Sequence, residues 1–222
     1  MMAQIENPGR ERILGRIKTA LKTPAKIHAG AEPASTSGPI FAPIADAFER
    51  FRSECAGNTT ELIVTEDSRA TGAALERVLA SLSAGEIFVQ DAPELHRASA
   101  ALEGRENVRW SSAGGPHENS QATITLAELL VAQTGSVMVS AACGGRGASI
   151  VAPVHIVVAK ASQLVPTLDE AFARIRERGT AAQNSYLCLI TGSSRTADIE
   201  KILVMGAHGP RRLVVILELD SH

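Results

Sequence analysis

The chain has 222 residues, 45% of them hydrophobic and 21% charged, which suits one soluble α/β domain with an appendage. A formal net charge of −2 leaves no electrostatic footprint for nucleic acid or an anionic membrane, and one Trp and one Tyr give no platform for stacking bases. Three cysteines without a C-x-x-C pair argue against a disulfide framework, a zinc site or an iron–sulfur cluster held by this chain alone.

No apolar run approaches the roughly 20 residues that span a bilayer. The first residues hold no apolar signal core, and reducing cytoplasm is the expected compartment. Asn7-Pro8 reads as a cap with Pro at the first helical position, opening a helix to about Lys22. Its one face carries Ile13, Leu14, Ile17 and Leu21, and the other Arg10, Arg12, Arg16, Lys18 and Lys22. Thr23 to Pro43 is rich in Pro, Ala, Ser and Gly and too poor in large apolar residues to order itself. Residues 1–43 therefore read as an N-terminal helix with a flexible linker, and 44–222 as the domain. A helix is expected from Ile44 to about Cys55, with Phe48 and Phe51 on its apolar stripe.

From Glu61 onward, short apolar runs alternate with helical periodicity. Strands are expected at Leu62–Val64, Ile87–Val89 and Val108–Trp110, with helices over Ala74–Leu82 and Glu94–Leu102 between them. That rhythm predicts a parallel sheet with helices on both faces. After a Gly/Pro loop come a strand at Ala122–Leu126, a short helix near Glu128, a turn at Gln133–Ser136 and a strand at Val137–Val139. Strands are then expected near Ile150–Val151 and His155–Val158. Thr167 and Glu170 form a T-x-x-E capping box for a helix over Leu168–Arg178, which Gly179 stops.

The stretch from Tyr186 to Arg212 carries the densest signal. A strand at Tyr186–Ile190 runs into Thr191-Gly192-Ser193-Ser194, and Thr196 can cap a short helix with Asp198 and Glu200 in its first turn. Strand, Gly/Ser loop and helix start would make a cradle of free N–H groups, in which Arg195 suits a carboxylate or phosphate. A second loop, with His208, Gly209 and Pro210, follows within one helix length, and a final strand spans Leu213–Leu219. An ordinary pair of turns accounts for the same glycines.

Three blocks, Q-T-G-S-V-M-V at 133–139, P-V-H-I-V-V-A-K-A-S-Q-L-V-P at 153–166 and T-G-S-S-R-T-A-D-I-E…G-A-H-G-P-R-R at 191–212, resemble the lactate-utilisation protein C family (LutC/YkgG), whose core is the LUD domain. The resemblance implies a three-layer α/β/α sandwich of the NagB/RpiA/CoA-transferase-like type. It also implies a place in L-lactate oxidation to pyruvate beside iron–sulfur partner proteins, with the clusters carried by those partners and no cofactor bound here. Gln133 stands where such proteins usually carry Glu, and the basic residue of the Cys143–Gly147 turn is placed differently.

The ligand-binding candidates are Thr134, Gly135, Ser136, Arg146, Gly192, Ser193, Ser194, Arg195, Thr196, Asp198, His208 and Gly209, facing a small anionic ligand. The alternative is an independent enzyme on the same fold, acting on a phosphorylated or acyl ligand. An amide at Gln133 cannot serve such an enzyme as the carboxylate nucleophile. Glu128 and His155 are candidate bases or structural residues, and Cys143 is a reactive thiol or a small filler. The cysteine spacing predicts that the purified chain is colourless and iron-free; stoichiometric iron with a visible charge-transfer band would contradict it.

Overall fold

The computed structural model describes residues 8–22, 42–98, 102, 105–197, 203–205 and 209–220. The chain divides into two units, Met1–Pro43 and Ile44–His222. In the first, helix α1 (Pro8–Leu21) starts at the expected proline and leaves Ile13 and Leu21 exposed. The expected linker lies outside the described residues except for 42 and 43.

The second unit is built on a six-stranded parallel sheet in the order β1 (Thr60–Thr65), β12 (Arg212–Glu218), β7 (Val154–Lys160), β4 (Ala122–Leu126), β2 (Ile87–Val89) and β3 (Val108–Trp110). Alternate residues of these strands feed two cores, as the two-residue strand period requires. One face carries Ile87, Val89, Ile124, Ile156, Val158, Val214 and Ile216 against helices α3 (Ser68–Ala80) and α4 (Pro93–Arg97). Helix α3 is capped by Asp67, whose carboxylate accepts from Ala70 N at 2.7 Å.

The other face carries Phe88, Val157, Ala159, Leu213, Val215 and Leu217 against helix α2 (Ala47–Gly57) and a second sheet. That sheet is four-stranded, in the order β8 (Leu164–Val165), β5 (Leu129–Val131), β6 (Ser136–Ser140) and β9 (Leu187–Ile190). Helix α5 (Leu168–Glu177) covers its outer face through Ala171 and Ile175. Thr167 caps α5 as its T-x-x-E spacing predicts, and Gly179, at φ +67°, ends it before the short α6 (Thr180–Gln183). The protein is mixed α/β with a large parallel sheet and helices on both of its faces, as expected. The smaller sheet is not announced by the alternation.

Four expectations change. Leu129–Val131 is a strand and not a helix, because each residue is buried and the strand pairs with both β6 and β8. Ile150–Val151 is a turn: both N–H groups bond back to Gly147 O, at 3.1 and 2.9 Å, and cannot join a ladder. Helix α4 ends at its C-cap Ala98, short of Leu102. Thr196 does not cap a helix: Arg195–Ala197 is strand β10, antiparallel to β11 (Leu203–Met205), so its backbone groups are used in a ladder, and the helical turn expected over Asp198 and Glu200 lies outside the described residues.

Phe51, fully buried, anchors α2 between the two sheets. Phe51→Ala should lower the free energy of unfolding by about 3–5 kcal/mol. Phe172→Ala, at a half-exposed position of α5, should cost less than about 1 kcal/mol in the same urea titration.

Candidate functional site

The loops singled out in the sequence meet at the amino-terminal edge of the large sheet. The turn before β6 is held against the end of α2: Asn58 Nδ2 donates to Thr134 O at 2.9 Å. Gly135 takes φ +62°, and a Cβ there would stand 2.6 Å from Glu54 Cβ. The loop after β9 packs on the same helix end. Gly192 has φ +81°, and a Cβ would reach within 2.3 Å of Asn58 O, so only glycine fits.

Hydroxyls then tie these pieces together. Thr134 Oγ1 lies 2.7 Å from Ser136 Oγ, which lies 2.6 Å from Thr191 Oγ1. Ser193 Oγ lies 2.9 Å from Thr59 Oγ1. Ser194 N donates to Pro210 O at 2.8 Å, bringing the two glycine loops together, and Gly209 is packed on the Ser194 side chain. The hydroxyls of Thr134, Ser136 and Ser193 are thus bonded to protein hydroxyls, and the knot fastens α2, β6 and β9 to one another.

The remaining candidates separate from this knot. Arg146 Nη2 donates to Ser185 O at 3.3 Å, and its guanidinium lies 5.6 Å from the Tyr186 ring centroid, at the start of β9. Gly192 follows the end of that strand, about 16 Å further along it by strand rise. Arg195 and Thr196 fall in β10, without the helix N–H cradle expected for them. Asp198 and His208 lie outside the described residues. Gln133 acts as a brace, since its Oε1 accepts from Leu168 N, 3.1 Å away, at the first turn of α5.

The three other chemical candidates are interior groups. Cys143 is buried, and burial, aided by the Glu128 carboxylate, pushes its pKa up to about 11, so it is a thiol filler at neutral pH. Glu128 accepts a short hydrogen bond from Ser140 Oγ. His155 is fully buried between the sheets, with Nε2 2.8 Å from Thr125 Oγ1, and burial lowers its pKa to about 4. Its Nδ1 has no hydrogen-bond partner among the described residues, nor does Oγ1 of Thr123, its register partner on β4.

At the opposite, carboxyl-terminal edge lies a cavity of about 400 Å³ that sequence reasoning missed. It is lined by the strand ends 126–127 and 158–159, with Leu126 and Val158 as its apolar side chains; Lys160, Glu218, Thr71 and Arg97 supply polar groups. Thr71 Oγ1 donates to Glu218 Oε2 at 3.0 Å and lies 2.8 Å from Thr65 Oγ1. Arg97 pairs with Glu94 at 3.7 Å. Gln163 braces the rim: Oε1 accepts from Lys160 N, and Nε2 donates to Ala127 O, both at 2.6 Å.

The family model of the LUD domain matches residues 44–217. The chain belongs to the LUD-domain family. It is 30% identical over 191 residues to a lactate utilization protein C of Geobacillus thermodenitrificans, covering 79% of each chain. A lactate utilization protein C of Bacillus subtilis is 29% identical, covering 76% of this chain and 77% of the relative. The uncharacterized protein YkgG of Escherichia coli is also 29% identical, over 79% of each. A crystal structure of a DUF162 family protein from Deinococcus radiodurans superposes with a TM-score of 0.61 at 19% identity, covering 78% of this chain and 96% of that one, which shows a common fold.

The cavity of this LUD domain escaped sequence reasoning because Thr71, Lys160 and Glu218 are distant in sequence and meet only through the strand order. The one local hint was a lysine closing the apolar run at 154–160. The interior histidine gives the domain a measurable pH response. The fold holds His155 neutral down to about pH 4, against an ordinary pKa near 6.5. The unfolded chain therefore takes up the proton first, and stability present above pH 6.5 is lost as pH falls toward 4, by about 3 kcal/mol. Denaturant titrations at pH 7 and pH 4.5 should show a smaller loss for His155→Gln than for the parent.

Proposed function

We propose that this chain is a non-redox component of L-lactate oxidation to pyruvate, binding a small anionic ligand while iron–sulfur partner proteins take the electrons. The observation that carries the reading is the 30% identity, over most of both chains, to a protein named lactate utilization protein C. Removing two electrons from the carbon that bears the hydroxyl requires an acceptor. No G-x-G-x-x-G dinucleotide fingerprint follows a strand in this sequence. Burial pushes Cys55 up to about 12, with the Glu54 carboxylate adding to the effect, and Cys143 up to about 11. Both are therefore protonated thiols at neutral pH and not reactive thiolates.

The amide of Gln133, already bonded to the first turn of α5, removes the nucleophile that an acyl-transfer enzyme would need at that place. The reducing cytoplasm, where free thiols persist, is the compartment that fits this role. Among the described residues no helix is long and apolar enough to cross a membrane.

Deleting the gene should abolish lactate-dependent reduction of an electron acceptor in cell extract, and adding back the purified chain should restore it. The purified chain with lactate and acceptor, but no partner, should show no turnover. Turnover by the chain alone would make it the catalyst; undiminished activity in the deletion extract would break the link to lactate.

A further inference from the structure

At the carboxyl edge of the large sheet the chain leaves neighbouring strands toward opposite faces. From β1 and β2 it passes into α3 and α4, which share one core with that face of the sheet. From β4 and β7 it passes into β5 and β8 of the smaller sheet, on the other face. The connections therefore part between β2 and β4, where Gln90 Oε1 accepts from Leu126 N at 2.8 Å. Divergence of this kind opens a crevice outside the strand ends, the usual ligand place in open parallel α/β sheets. The 400 Å³ cavity lies along this edge, and its size is within the range of small-molecule sites.

We propose that this cavity binds a small hydroxylated carboxylate, with Lys160 as the counter-charge and Glu218 as the acceptor for the hydroxyl. Lys160 closes β7 and stands directly across from Glu218 of β12 in the parallel register, so both side chains leave the same face of the sheet. No ion pair of Lys160 is found among the described residues, although acids occupy Arg97 and Arg212. Its ammonium is available to an incoming carboxylate. Glu218 is fixed by the hydroxyl of Thr71 on one oxygen, which leaves the other as an acceptor.

The apolar side chains of Leu126 and Val158, which lie on this face of the sheet, suit a carbon skeleton and disfavour a fully charged group such as phosphate, which would be left without partners on that side. Charge, acceptor and apolar side chains together select an anion that also carries a hydrogen-bond donor and a hydrocarbon part. The cavity exceeds a three-carbon acid, so longer 2-hydroxy acids also fall within the class. Gln163 fixes the backbone at both Lys160 and Ala127, so the opening is set before a ligand arrives.

The ligand class comes from the lining, and the choice of L-lactate as a probe rests on the function proposed above. Isothermal titration of the full chain at low salt with L-lactate, 2-hydroxyhexanoate, propionate and inorganic phosphate reads the site directly. At least one hydroxy acid should bind saturably, and propionate should bind more weakly than L-lactate or 2-hydroxyhexanoate. Lys160→Gln should weaken hydroxy-acid binding about tenfold or more, and Lys160→Arg by less. Glu218→Gln should narrow the gap between hydroxy acid and propionate. Thermal unfolding of each variant checks that the fold is kept.

Equal affinity in Lys160→Gln and the parent would overturn the proposal. So would tighter binding of phosphate than of any carboxylate, or no saturable binding of either hydroxy acid up to about 10 mM. A binding failure leaves the deletion assay untouched, and a deletion without effect leaves binding untouched, so the two readings fail separately.

Discussion

Strand β1 has a single neighbour in the large sheet, β12, and β12 bridges it to β7. The pairing of β1 with the sheet therefore runs through one parallel ladder, from Thr60 opposite Leu213 to Thr65 opposite Glu218. Five apolar side chains of β12, Leu213 to Leu217, are buried, alternately in the two cores. At about 1.5–3 kcal/mol for each large side chain, that burial outweighs the partly exposed ion pair of Arg212 with Glu61, worth about 0–1 kcal/mol. The polar contacts at the two ends of β12 set register: Arg212 to Glu61 at one, Glu218 to Thr71 at the other.

The two edges of the sheet have been given different work by this arrangement. At the amino edge the hydroxyls of Thr134, Ser136, Thr191, Thr59 and Ser193 are bonded among themselves, and glycines let the loops press against the end of α2. Opening that edge to a ligand would mean breaking bonds already made. At the carboxyl edge the chain diverges, and charged side chains line the space left behind. The anion site proposed above falls at this carboxyl edge.

Much of the fold was legible in the sequence. The bounds of β2, β3 and β4 match those expected, and for β2 the reason is plain: Ile87, Phe88 and Val89 are all buried, and a strand covered on both faces reads as an unbroken apolar run. The cap of α5 at Thr167 and its stop at Gly179 were legible because each rests on neighbouring residues. The smaller sheet was not, since three apolar residues at Leu129–Val131 have no intrinsic period and take strand form from partners at Val137 and Leu164. Thr196 followed by acids carries a valid helix-start pattern, yet Thr196 itself is held extended by its ladder with Val204. Of the expected site, loop proximity was legible, as Ser194 and Pro210 show; mutual satisfaction of the hydroxyls was not, because partners such as Thr59 and Ser193 are distant in sequence.

The position of β12 also bears on how the domain comes into being. A growing chain that has not yet reached Arg212 has made β1 and β7 but not the strand that lies between them. Until then β1 lacks its only sheet neighbour, and one edge of β7 is open, a state prone to pairing with other chains. Contacts such as Thr60 with Leu213 span most of the domain, and parallel pairing at that separation is intrinsically slow. The large sheet is thus completed only once Arg212–Glu218 has been made, and a product lacking that strand would be aggregation-prone with both cores incomplete.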